Sequence, residues 1–201
     1  MRLQLERACN EIIKFDSRMK RLFGENPLRK QLMGKYGELL VASLFKRRGH
    51  KISTEAAGNL TSYDLIVDGR KIEVRTSEIK KERAFPDPIR AWGWKLQTND
   101  KNGAPKNLKY DFIILVRLFN RWDRFKLYIL SKKQVMDVKV TRFRGYQTVA
   151  RVIFLFKNPL RLARRLDSHR MITESCADFN RCPSKFQLKW NRIRTILSGA
   201  V

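Results

Sequence analysis

Histidine and cysteine are nearly missing, with two of the first and three of the second in 201 residues. His50 and His169 stand far apart and neither belongs to an acid–base pattern, which argues against a histidine-rich metal site. Cys9, Cys176 and Cys182 are an odd set without C-x2-C spacing, so neither a disulfide framework nor a zinc site is indicated and they read as reduced thiols. Long apolar runs are also lacking: no stretch approaches the ~18 to 20 residues that span a bilayer. Met1–Arg7 has no uninterrupted apolar core of a secretory signal, and no membrane partner and a cytoplasmic setting are expected. Acid is scarce too, 19 Asp and Glu against 44 Lys and Arg. Neither an internal repeat nor a low-complexity linker divides the chain.

The net charge of +25 goes far beyond what solubility requires. Such a surface can neutralise many phosphates through counterion release, so a nucleic-acid partner with steep salt dependence is expected. Anionic membranes and ribosomal RNA attract the same charge, which therefore does not choose among them. The length fits one domain with extensions, and 43% hydrophobic residues allow a real core.

The segment Tyr63–Arg75 carries the sharpest signal. Asp68-Gly69 between two apolar, β-branched runs predicts a two-residue hairpin turn. Val67 then pairs with Arg70, Ile66 with Lys71 and Leu65 with Ile72, which sets Asp64 opposite Glu73. Strand alternation sends Leu65, Val67, Ile72 and Val74 to one face and Asp64, Glu73 and Arg75 to the other. Like charges facing each other across a strand pair are destabilising unless a cation compensates them. Magnesium suits the pair, since it takes one or two carboxylates with waters and phosphate oxygens. A solvent-exposed ladder in which Arg75 neutralises both acids is the alternative.

A third acid comes from Leu28–Arg48, whose apolar residues Leu32, Tyr36, Leu39, Leu40, Val41, Leu44 and Phe45 are spaced for an amphipathic helix. Cations close its last turn and Gly49 follows as the C′ residue. Glu38 lies in this run beside Gly34 and Gly37. Two glycines cost a helix roughly 1 kcal/mol each, so close packing on a sheet is the expected reason for them. That packing would bring Glu38 toward the hairpin.

Gly37-Glu38 on a helix, a strand ending before Tyr63-Asp64, and then Ile72-Glu73-Val74-Arg75 together resemble the PD-(D/E)xK nuclease superfamily. This is the fold of many restriction endonucleases and of archaeal Holliday junction resolvases, and the resemblance covers roughly residues 30 to 130. It implies a restriction-endonuclease-like α/β fold, a mixed β-sheet flanked by helices, with basic N- and C-terminal extensions. By the resemblance, Asp64 is the strand aspartate, Glu73 the acid of the E-x-K element and Glu38 the helix glutamate. With Val74 they form the implied metal-binding set, for Mg²⁺ with Mn²⁺ as a substitute. Two positions depart from the pattern. Tyr63 stands at the place of the proline, and Arg75 at the place of the lysine. A guanidinium stays protonated and cannot act as a general base. It can still hold a phosphate oxygen. Lys95, in Trp92–Leu96, either supplies an ammonium from a neighbouring strand or faces solvent.

Along the rest of the chain, Leu3–Leu22 reads as a basic helix and Lys51–Glu55 as the first strand, with Ala56–Ser62 as the loop that delivers Asp64. Thr76–Arg90 reads as a loop beside the site, holding Lys80, Lys81, Arg83 and the rigid Pro86-Asp87-Pro88. Trp92–Leu96, Tyr110–Leu118 and Phe125–Leu130 read as strands, the second nearly all apolar, as a central strand covered on both faces should be. Ser131 is placed to cap a short helix. Residues 139–201 carry fourteen Lys and Arg against Asp167, Glu174 and Asp178, with Val152–Phe156 strand-like and Phe186–Leu197 as a basic helix. Arg142, Arg144, Arg164 and Arg165, with Lys80, Lys81 and Arg83, are the expected backbone contacts to DNA. The expected organisation is a helical extension over 1–27, a nuclease core over 28–138 and a basic extension over 139–201. The expected function is a Mg²⁺-dependent DNA endonuclease, sequence-specific and homodimeric, acting on duplex or branched DNA. A Holliday junction resolvase and a catalytically silent DNA- or RNA-binding protein are the alternatives.

Overall fold

The computed structural model describes residues 27–53, 63–82, 89–97, 107–119, 122, 124–138, 141–142, 149–156, 186–190 and 193–198. The expected helix over Leu3–Leu22 and the loop Ala56–Ser62 lie outside the described residues. The first described element is helix α1 (Pro27–Lys46). It closes as expected at Gly49, whose φ of 80° is left-handed. Gly49 N donates to Lys46 O at 3.1 Å and His50 N to Phe45 O at 3.3 Å, the two bonds that satisfy terminal carbonyls in a Schellman ending.

Two sheets follow. The first holds β1 (Ile52–Ser53), β2 (Leu65–Val67), β3 (Arg70–Ser77), β6 (Phe112–Leu118) and β7 (Phe125–Ser131), in the order β1-β2-β3-β6-β7. Its β3–β6 pair is parallel and its other pairs are antiparallel. The second has the order β4-β5-β9-β8, built from β4 (Lys80–Glu82), β5 (Ile89–Gln97), β9 (Val149–Phe156) and β8 (Thr141–Arg142). Helix α2 (Lys132–Asp137) starts from Ser131 with the expected cap, completed by Gln134 as a reciprocal capping box, and α3 (Ile193–Ser198) closes the described chain.

Strand β6 is buried on both faces, as its apolar run predicts. Phe112, Ile114, Val116 and Leu118 join α1 residues Leu40, Val41 and Phe45 in one cluster, while Ile113 and Leu115 join Trp92, Trp94 and Leu96 of β5 in the other. The fold is therefore mixed α/β in layers: α1 on one face of the first sheet and the second sheet on the opposite face.

Four expectations change here. The strand at Trp92–Leu96 does not extend the first sheet but lies in the second. Its Trp92, Trp94 and Leu96 point inward and Lys95 outward, the pattern of a sheet that covers a core on one side. Trp92 Nε1 donates to Leu118 O and Trp94 Nε1 to Val116 O, so the two indoles dock on the end of β6. Thr76–Arg90 is not one loop. β3 runs to Ser77, and Lys80–Glu82 pairs with Ile89–Ala91, leaving 83–88 outside the described residues. Among the described residues of the crossover between parallel strands β3 and β6, this hairpin is the regular element. The helix expected over Phe186–Leu197 is replaced by a bridge and the short α3. Leu188 N donates to Leu127 O at 2.9 Å and Gln187 bridges Tyr128, because the outer edge of β7 offers backbone groups that need partners.

The fourth change concerns the glycines of α1. A Cβ at Gly37 would overlap Thr76 Oγ1 of β3, whereas one at Gly34 would meet nothing within 4 Å. Only Gly37 marks the close approach. Gly37→Ala is expected to destabilise the protein by about 1–3 kcal/mol through overpacking. Gly34→Ala should instead gain about 0.5–1 kcal/mol of helix propensity. Urea denaturation of the two variants checks the contrast.

Candidate active site

The hairpin has the expected form. Asp68 and Gly69 have φ of 48° and 82°, the paired positive values of a type I′ turn. The register Leu65↔Ile72, Ile66↔Lys71, Val67↔Arg70 is the one the turn dictates. His50 Nδ1 lies 2.6 Å from Asp68 Oδ2, and Lys51 N donates to Asp68 Oδ1 at 2.9 Å, so the turn is tied to the end of α1.

One residue before β2, Asp64 N donates to Ile72 O at 2.9 Å. Its carboxylate then accepts from Val74 N at 2.7 Å, which fixes it beside Glu73. Val74 N–H points to the β2 side, and within a strand the carbonyl of the same residue points the same way. Glu73 is only 6% exposed, on the face of β3 that the second sheet covers. Two residues on and on the same face, Arg75 Nη2 reaches Glu73 Oε1 at 2.5 Å. From the helix, Glu38 Oε2 accepts from Lys35 Nζ at 2.7 Å, one residue beyond the Gly37 contact with β3.

These groups form one electrostatic unit. Burial pushes Glu73 up to about 7; Arg75 opposes the rise, and Asp64 and Glu38 add to it. Burial also raises Asp64, against the Val74 N–H bond; Glu38 raises it further, while Arg75 and Lys35 pull it down. Tyr110 closes the inner wall. It is 4% exposed, and its hydroxyl donates to Leu96 O at 3.0 Å. Burial first, then the Glu73 carboxylate, hold its hydroxyl protonated against Arg75 and Arg151.

The fold thus sets Asp64 beside Glu73 and Arg75 on Glu73, keeps Glu38 near enough to raise both acids, and adds Lys35 and Tyr110, which the sequence does not single out. Lys35 had a signal, its i, i+3 spacing to Glu38. Tyr110 had none, since its contact is made by a strand of the second sheet. Lys95 is not brought to the acids: it is exposed between buried Trp94 and Leu96, on the outer face of β5. Lys80 and Lys81 lie in β4 and Arg142 in β8, but their side chains are outside the described set. Arg83, Arg144, Arg164 and Arg165 lie outside the described residues altogether.

Asp111, one residue before β6, is a clamp. Its Oδ2 accepts from Lys71 N at 2.9 Å, its N donates to Lys71 O and its carbonyl accepts from Lys132 N, both at 2.8 Å, which pins the start of β3 to β6 and α2.

Among the described residues, no three His, Cys, Asp or Glu side chains are gathered closely enough to hold a metal ion by themselves. Glu38 is engaged by Lys35 and Glu73 by Arg75. The donor chemistry nevertheless fits a hard divalent cation, since all three acids offer carboxylate oxygens and two are raised by burial and mutual repulsion. No helix among the described residues is long and apolar enough to cross a membrane.

No family model matches the chain, and no curated protein matches it. Among solved structures it is similar to a bacterial homing endonuclease, I-Ssp6803I, at 19% identity and a TM-score of 0.39, over 65% of this chain and 80% of that one.

Proposed function

We propose that this chain is a metal-dependent DNA endonuclease of the PD-(D/E)xK kind. The observation that carries the reading is Asp64 fixed by Val74 N–H beside the buried Glu73, with Glu38 close enough to raise both. Neighbouring carboxylates that raise one another favour a cation between them, and carboxylate oxygens are the donors that a hard divalent ion prefers. Asp64, Glu73, Glu38 and the Val74 carbonyl would hold Mg²⁺, with Mn²⁺ as a substitute. When bound, such an ion supplies Lewis-acid polarisation of a phosphate oxygen and a water acidic enough to attack at neutral pH.

The chain's own groups do the rest. Arg75, 44% exposed at its side chain, can grip a phosphate oxygen and stabilise charge as the P–O bond breaks. Tyr110 and the β5 wall keep water from the inner side of Glu73. The net charge of +25 supplies sequence-independent attraction to the phosphate backbone. Two copies would match the two strands of a duplex or junction.

One observation favours a second reading, a silent nucleic-acid-binding protein on the same fold. Arg75 already compensates Glu73 at 2.5 Å without any metal. The test is incubation of mixed-sequence plasmid DNA and a synthetic four-way junction with native protein and Mg²⁺ or Mn²⁺. Discrete plasmid fragments that vanish with EDTA support a restriction-type enzyme, and junction-only cutting supports a resolvase. Salt-sensitive DNA binding with no cutting of either substrate would sink the endonuclease reading and leave the binder.

A further inference from the structure

The site carries its own counter-ions. Two cations stand on the acids, Lys35 on Glu38 at 2.7 Å from the helix and Arg75 on Glu73 at 2.5 Å from the strand, while Asp64 is held by a backbone N–H. An i, i+3 ion pair on an exposed helix face is ordinarily a solvated ornament. This one differs in its place. Gly37 seats α1 against Thr76 of β3, and Glu38 is the next residue, near enough for its charge to raise Asp64 and Glu73. Glu38 keeps only 23% of its side-chain surface, whereas Lys35 keeps 65% and can swing away freely.

We propose that Lys35 is a stand-in cation, holding Glu38 at the acid cluster until a divalent ion takes its place and then turning to a phosphate oxygen of the substrate strand. The inference rests on the endonuclease reading for its second half only. Its first half concerns competition between an ammonium and a divalent cation for the same carboxylate. The Lys35 charge also lowers Asp64, which agrees with its reach into the cluster. The arrangement accounts for a highly cationic protein keeping an acidic site compact before its ion arrives. Unlike Arg75, whose partner is buried on the same strand, Lys35 sits on a long flexible stem in solvent and is the cation free to leave.

The test compares Lys35→Met and Lys35→Arg with Lys46→Met, a control in the exposed last turn of the same helix. Mg²⁺ is titrated calorimetrically without DNA, and cleavage of plasmid DNA is then followed under single turnover at saturating Mg²⁺. Lys35→Met is expected to bind Mg²⁺ about three- to tenfold more tightly, because a competing unit charge is gone. The same variant should cleave about tenfold or more slowly, because a phosphate contact is gone. Lys35→Arg should restore most of the cleavage, and Lys46→Met should change neither quantity. Mg²⁺ affinity in Lys35→Met equal to that of Lys46→Met overturns the proposal. Tighter Mg²⁺ with native cleavage overturns it as well, since Lys35 would then be a competitor only. If the native protein binds Mg²⁺ but cuts no DNA, the endonuclease reading falls and the phosphate contact with it. The titrations still decide whether Lys35 stands in for the ion.

Discussion

Asp64→Asn is expected to lower phosphodiester cleavage by about a thousandfold or more, equivalent to roughly 4 kcal/mol of transition-state stabilisation, while leaving the fold intact. The asparagine side-chain oxygen can still accept from Val74 N, the bond that holds Asp64 at 2.7 Å beside β3. The negative charge alone is lost. Burial raises the aspartate's proton affinity, so the neutral amide sheds a desolvation cost and stability should hold or rise. A chemical role and a structural role therefore pull in opposite directions. Cleavage rate and urea midpoint measured on one preparation separate them: lost cleavage with an unchanged or higher midpoint is the expected pair. Native cleavage by the variant would remove Asp64 from the chemistry. A midpoint that collapses together with the rate would make it a structural residue.

The parts of this site legible in the sequence are the local ones. Asp68-Gly69 specifies a type I′ turn because both positions need positive φ, and the turn fixes every pair back to Asp64. Glu73 and Arg75 share a face by strand parity, which is all their ion pair requires. Gly37 announced a close approach, but the sequence offered no way to tell it from Gly34, since the difference is a neighbour on β3.

What the sequence hid is non-local. β5 finds its partner β9 across the Trp92↔Leu155 and Trp94↔Ile153 register, and no local pattern in either strand names the other. Of the two places open to Lys95, a neighbouring strand at the site or solvent, the structure shows the second. Here the sequence held an unused clue: Trp92, Trp94 and Leu96 share one parity and Lys95 the other, so burial of the aromatics turns the lysine outward. The burial of Glu73 was equally out of reach, because its cover comes from that second sheet. Without the cover, the acid pair reads as an exposed ladder.

That cover gives the second large effect. Without divalent metal, the protein should lose stability as pH rises from about 5 to 8, and Glu73→Gln should remove most of that loss. Glu73 takes up its proton near 7 in the folded chain, against 4.5 for the ordinary group. Between those values the native state binds more protons than the unfolded chain, so its stability is complete below about 4.5 and falls as pH passes through 7. At 1.36 kcal/mol per pKa unit the loss is about 3 kcal/mol. Asp64, raised by burial as well, adds in the same direction. Arg75→Ala should steepen the slope, because the guanidinium at 2.5 Å holds Glu73 down. Added Mg²⁺ should stabilise the native protein more at pH 8 than at pH 5, since a cation and a proton compete for the same oxygens. Urea unfolding of native protein and Glu73→Gln at four pH values, with and without Mg²⁺, reads all of this as differences, so the background from the other charges cancels. Parallel pH profiles for the two proteins would mean that Glu73 stays ionised across the range. The cover over it would then be looser than its 6% exposure implies, and a raised proton affinity would no longer support a cation at this site.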